Sequence, residues 1–197
     1  MWKGFAEFES IQKIIYRRKT FLVYDNVQNT SNIYSVIMLN PGSCKPASTA
    51  NNKSELQEII LDQTMHWITN WMELAFNRSE KKIKDGCIIN IYNLFDIRNQ
   101  NKDEALYQFK HSCNKEGIEG LSDKIDKKSN FVWIAWGSIT DSELLKIATI
   151  NENTIKKLNI PIIGKTPDES LNYYHPRYLN TQPDKREFLI NLLAKYL

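Results

Sequence analysis

Cysteine is scarce in this 197-residue chain: Cys44, Cys87 and Cys113 are the only three, and no two form a CxxC pair. That spacing excludes a zinc knuckle and a dithiol redox motif. An odd cysteine count with no signal peptide suits a reducing cytosol, so a cytoplasmic location is expected. Histidine is equally sparse, and His66, His111 and His175 do not stand at metal-ligand spacing. Neither a metal nor a cofactor is expected. No apolar run approaches the ~20 residues that cross a bilayer, so no membrane partner is expected. The charge excess is small, 26 basic against 23 acidic residues, and does not by itself announce nucleic-acid binding. GxGxxG, Walker and GxSxG motifs are all missing, which argues against dinucleotide, NTPase and α/β-hydrolase chemistry. Repeats, low-complexity tracts and Pro/Ser-rich linkers are missing too. One domain over 1–197 follows, with a β extension at 1–32 and a core at 33–197.

What is present is a set of short, unbroken apolar runs. Residues 11–17 and 20–25 are β-branched and aromatic, which predicts strands of an N-terminal β-hairpin. The Arg17-Arg18-Lys19 cluster then reads as its solvated edge. The runs at 33–39, 87–95, 131–137 and 160–166 lack alternation and read as strands buried on both faces. Helical signals fall between them. Ser54 with Gln57 forms a capping-box pattern. Asp62 can cap a helix in which Met65, Ile68, Met72 and Ala75 recur at helical spacing, with His66 off that stripe and exposed. A weaker helix is expected at 114–127, one opened by Thr140 and Glu143 runs from 141 to about 158, and Pro183 starts the last. Strand–helix alternation predicts an α/β three-layer sandwich around a central, mainly parallel four-stranded sheet.

In such sheets ligands sit beyond the carboxyl ends of the strands. Three stretches end there. "LNPGS" (39–43) carries Asn40, whose amide both donates and accepts, Pro41, which holds Asn40 extended, Gly42, which lets a ligand approach the backbone, and Ser43. "NIYNLFDIRN" (90–99) puts Ile91 and Asn93 on one strand face and offers Phe95 as a stacking ring. "AWG" (135–137) ends in Trp136 and Gly137. A fourth stretch, "NYYHPRYLN" (172–180), gathers His175, Pro176, Arg177 and Tyr178, suited to stacking on a base and binding an anion. Each also has a plain structural role available: turn residues for the asparagines, core for Phe95, loop packing for His175, or a mutual polar network.

Taken in order, "IMLNPGS", "IYNLFDIRN", "VWIAWGS" and "IIGKTPDESLNYYHPRYL" resemble the domain-of-unknown-function 1643 family, whose pattern runs LNPS, NLF, AWG, a glycine-led strand and HP-x-YL. "DQTMHWITNW" resembles that family's helix beginning D-P-T. The likeness covers roughly 34–179. The chain departs in having Gly42-Ser43 where the family has Ser-Thr, and in extra residues before His175. A more distant likeness is to uracil-DNA glycosylases, which carry a pocket loop after the first sheet strand (N-P-G in the mismatch-specific branch), an Asn at a later strand end and a late HP loop.

That resemblance implies a pocket for a nucleobase, a nucleotide or DNA, and cleavage of an N-glycosidic bond. Asn40 would position a water, Asn93 would read a base edge, His175 would donate to a base carbonyl and Phe95 would stack. Arg17, Arg18, Lys19, Arg98 and Arg177 would be the candidates for phosphate. Asn40 and His175 are thus the catalytic candidates. Pro41, Gly42, Ser43, Asn93, Phe95, Trp136, Gly137, Pro176, Arg177 and Tyr178 are the substrate-binding ones. No Asp or Glu stands at or beside Asn40, and an amide is a poor general base. A non-catalytic nucleotide- or partner-binding module therefore stands as the alternative.

Overall fold

The computed structural model describes residues 1–25, 32–47, 55–111, 125–166 and 171–197. Strands β1 (Trp2–Ile11) and β2 (Ile14–Tyr24) form a hairpin that turns at Gln12 and Lys13, both with positive φ. Two left-handed residues are what a tight hairpin of right-twisted strands needs. Glutamine and lysine do not advertise that conformation, so β1 is missed in the sequence and the first strand is misplaced onto residues 11–17. The other strands are β3 (Ile33–Met38), β4 (Lys45–Pro46), β5 (Leu56–Ile60), β6 (Ile88–Asn93), β7 (Val132–Ile134) and β8 (Ile162–Ile163). The helices are α1 (Gln63–Arg78), α2 (Lys102–His111), α3 (Ser142–Lys157), α4 (Pro176–Asn180) and α5 (Pro183–Tyr196).

The fold is α/β, but the sheet corrects the expectation of four mainly parallel strands. Among the described residues it is mixed and has eight strands, in the order β4-β5-β1-β2-β6-β3-β7-β8. The four apolar runs do pair in parallel, β6-β3-β7-β8. The N-terminal hairpin extends them because β2 docks antiparallel on β6, Thr20 opposite Ile91 and Val23 opposite Ile88. β5 in turn pairs with β1. β5 replaces the helix expected after Ser54: Leu56–Ile60 is too short and too exposed on alternate residues to bury a helical stripe. The last core strand is only two residues long, since Gly164 leaves it at φ 100°. The helix expected at 114–127 falls almost wholly outside the described residues.

Two apolar clusters lie on opposite faces of the sheet. On one, Tyr34, Val36 and Met38 of β3 meet Met65, Ile68 and Met72 of α1 and Leu189, Ile190 and Leu193 of α5. On the other, Ile37 and Leu39 meet Phe109 of α2 and Leu144 and Ile147 of α3. Alternate residues of β3 thus feed two cores, which is why its run shows no alternation of apolar and polar residues. Ser35, wholly buried in that run, is satisfied by Ser129 at 2.5 Å. Among the described residues, no helix is long and apolar enough to cross a membrane.

Candidate functional site

A cavity of about 450 Å³ opens at the carboxyl ends of the parallel strands, on the α1 face of the sheet. Its wall brings together Asn40, Pro41, Gly42 and Ser43 after β3, Trp136 and Gly137 after β7, and His175 and Arg177 at the start of α4. Residues 135 positions apart in the chain therefore meet at one site, and eight of the twelve candidates line it.

The loop after β3 is held from outside the strand. Gly42 takes a positive φ of 65°, and the Asn40 amide nitrogen donates to the Asn99 carbonyl at 3.1 Å. That leaves Asn40 Oδ1 as the acceptor for a molecule in the cavity. Arg98 donates to the Ser43 carbonyl at 3.0 Å and also to the Cys44 carbonyl. Arg98 is thus a brace of the loop, which corrects its reading as a phosphate contact. Arg98→Ala should cost about 1–3 kcal/mol of stability by stranding two carbonyls, checked by urea unfolding, and should weaken ligand binding by displacing the loop.

The His175 segment is fixed on the far rim. Trp136 Nε1 donates to the Leu171 carbonyl at 3.0 Å, Tyr173 pairs with Lys165, and the Tyr174 amide donates to the Gly164 carbonyl at 2.9 Å. Gly137, at φ 80°, lies against the His175 Cβ. His175 caps α4, its Nδ1 accepting from the Arg177 amide at 3.0 Å, with Pro176 fixing the first turn. A ring nitrogen that accepts cannot carry the proton, so the proton sits on Nε2, available as a donor. Burial, helped by Arg177 and Lys102 and opposed by Asp62, pushes His175 down to about 4 from an ordinary 6.5.

The sign of that shift gives a stability prediction. Between pH 6.5 and pH 4 the unfolded chain binds a proton at His175 that the folded chain refuses. Stability therefore rises with pH through this window and falls on acidification. From pH 7 to pH 4 the loss from this residue is about 3 kcal/mol. His175→Asn, which keeps a capping side chain, should shrink the pH dependence of the unfolding free energy, taken from urea titrations, by that amount.

Four candidates do not reach this cavity. Phe95 stacks on Phe109, centroids 4.9 Å apart, in the core on the other face of the sheet. It cannot serve as the stacking ring: the chain turns after Asn93 and sends the ring toward α2. Asn93 shares the face of Ile91 as expected, but it is buried, lies off the wall, and its Oδ1 has no hydrogen-bond partner. Pro176 is buried in the first turn of α4. Tyr178 lies parallel to Tyr174 with Lys185 over both rings, in a neighbouring cavity of about 530 Å³. The two cavities share Gly137, Ser138 and His175.

The wall also holds residues that motif reading assigned elsewhere. Asp62 caps α1, accepting from the Met65 amide at 3.0 Å, and lines the cavity beside Gln63 and Thr64. It supplies the carboxylate that is missing around Asn40 in sequence. Arg17 is the other addition. Instead of a solvated edge it is 2% exposed and lines the cavity, with Nε and Nη1 lacking hydrogen-bond partners.

A β-bulge explains Arg17. Thr20 pairs with Ala6 but Arg17 pairs with Phe8, so β2 has one residue more than β1 between those pairs. An extra residue reverses the side-chain alternation beyond it. Leu22 points to the α1 face, Tyr16 is sent to the opposite core, and Arg17 comes round to the cavity. Arg18 instead pairs with Glu9 at 2.9 Å and Asp96 at 3.6 Å, and Lys19 with Glu7 at 3.8 Å. Neither is a free phosphate contact.

His66 is exposed on α1, as its place off the apolar stripe predicted, and His111 is exposed at the end of α2. Among the described residues no group of three or more His, Cys, Asp or Glu could hold a metal ion. No family model, curated protein or solved structure matches this chain.

Proposed function

We propose that the chain is a nucleotide-binding hydrolase of the uracil-DNA glycosylase-like kind, which cleaves an N-glycosidic bond in the strand-end cavity. The observation that carries this reading is the convergence of Asn40, Asp62 and His175, an acceptor, a carboxylate and a neutral imidazole, on one wall. The order of motifs along the chain and the position of the cavity beyond parallel strands support the same kinship, as does the likeness to the domain-of-unknown-function 1643 family.

The chemistry needs three services. A water must be oriented and relieved of a proton, and Asn40 Oδ1 and the Asp62 carboxylate are suited to those tasks. The sugar C1′ then gains a bond to the water oxygen as its bond to the base nitrogen breaks. The base leaves with that electron pair, and negative charge spreads from the ring nitrogen onto its carbonyl oxygen. His175 Nε2–H can donate there, a hydrogen bond that strengthens as the charge develops. The departing base ends protonated, so water is consumed and atoms balance. Tyr174 and Tyr178, with Lys185 over their rings, add an aromatic and cationic wall to the adjoining cavity that His175 also lines.

The test is chromatography of nucleosides, their 5′-monophosphates, and uracil- and mismatch-containing DNA after incubation with the protein. Free base is expected from at least one of these classes, with Asn40→Ala about 10²-fold slower through loss of water placement. Intact substrates in every arm, or a rate indifferent to Asn40, would overturn the reading.

A further inference from the structure

Arg17 is a charged side chain almost wholly removed from water, and two of its three nitrogens have no hydrogen-bond partner. Leaving a guanidinium desolvated and unpaired is among the costlier arrangements in a folded chain. Its surroundings do not explain it. Cys44 offers it a weak sulfur acceptor, and Asp62 and Asp96 attract it while Asp62 caps α1 and Asp96 pairs with Arg18 at 3.6 Å. The remaining neighbours in the cavity include Met38, Ile68 and Ile91, which offer no polar atom in their side chains. A bulge in β2 turns this one arginine inward while its neighbours Arg18 and Lys19 go to surface acids.

We infer that Arg17 seats a terminal oxyanion, the phosphomonoester end of the ligand, so that the substrate is a free nucleoside phosphate and not a residue within a polynucleotide. This rests on the reading of the cavity as a nucleotide site. Three features point the same way. Guanidinium donors match phosphate oxygens, and a desolvated pair is the strong kind. The first turn of α1, at Gln63 and Thr64 on the same wall, adds the positive end of a 16-residue helix. Exposed Lys102 and Arg177 stand on the wall with Arg17, so the cations outnumber Asp62.

Depth decides against a polymer. Phosphodiesters of a bound strand remain near the protein surface, where exposed Lys and Arg meet them. An enzyme that flips a base out of a strand sends the base inward and leaves its phosphates outside. A cation at 2% exposure in a cavity of about 450 Å³ can be met only by a group at the end of a molecule. A diester would have to carry both its continuing chains into that volume.

Calorimetric titration of the full chain tests this with the four ribonucleosides, their 5′-monophosphates, inorganic phosphate, and a 12-nucleotide single strand lacking terminal phosphates. A monophosphate should bind at least tenfold tighter than its nucleoside and tighter than the oligonucleotide. In Arg17→Met that preference should vanish while nucleoside affinity stays, and Arg17→Lys should restore part of it. Equal affinity for nucleoside and monophosphate, a preference that survives Arg17→Met, or tighter binding of the oligonucleotide would overturn the inference. The wild-type comparisons decide the matter even if a variant fails to fold. Phosphate binding that depends on Arg17, without any response to nucleosides or nucleotides, would uphold the oxyanion seat and reject the nucleobase reading.

Discussion

Asp62→Asn should lower the rate of base release by about 10²- to 10⁴-fold, the usual contribution of a positioned general base. The substitution is chosen because it separates two roles of one side chain. As an N-cap, asparagine serves α1 as well as aspartate does, and the acceptor that takes the Met65 amide at 3.0 Å is retained as an amide oxygen. Stability should therefore change by only a few tenths of a kcal/mol. As a base, the amide is useless. Removing a carboxylate that stands on one wall with Arg17, Lys102 and Arg177 should also leave anionic ligands bound as tightly as before, or tighter. The fall should appear in kcat, with KM unchanged or reduced. A variant that folds, binds and turns over like the wild type would remove Asp62 from the chemistry and restore the non-catalytic module as the better reading.

Arg17→Met should make the ligand-free protein more stable, by about 1–3 kcal/mol, the desolvation cost of buried donors left without partners. For a chain of this length that corresponds to a rise in Tm of roughly 2–4 °C per kcal/mol. The direction matters more than the size. A buried arginine that held the structure together would destabilise it on removal, since most core substitutions do. An arginine kept for a ligand is a cost in the empty protein, and the methionine stem can still pack against Met38, Ile68 and Ile91. Urea unfolding of both proteins, with and without a nucleoside monophosphate, checks this. The variant should start higher and gain from the monophosphate only what the bare nucleoside gives it, whereas the wild type should start lower and gain more from the monophosphate than from the nucleoside.

Much of the site was legible because it is built from local signals. Asn40-Pro41-Gly42 follows an apolar strand that could be read directly, and Gly42 does take the left-handed turn that a glycine there permits. His175-Pro176 opens a helix turn whose proline is visible, although the turn itself read as loop. Asp62 announced itself as a cap, and only the fold reveals that the same carboxylate lies against Gly42 on the cavity wall, its Oδ2 3.5 Å from where a Cβ would stand. What failed to show were effects that depend on pairing. The position of Arg17 is decided by one extra residue between two strand pairs, and nothing in Arg17-Arg18-Lys19 marks which cation turns inward. The hairpin hid behind two ordinary residues at positive φ. Phe95 looked like a ligand ring because it follows a strand end, but the turn after Asn93 carries it to the opposite core.

The chain has three histidines, so one spectrum tests the central claim. Imidazole ring signals of the protein labelled at histidine should show His175 shifting in a saturable manner as a nucleoside 5′-monophosphate is added, while exposed His66 and His111, on α1 and α2, stay in place. A nucleotide that leaves the His175 ring undisturbed, or that moves only the two surface imidazoles, would contradict the assignment of this cavity as the nucleotide site.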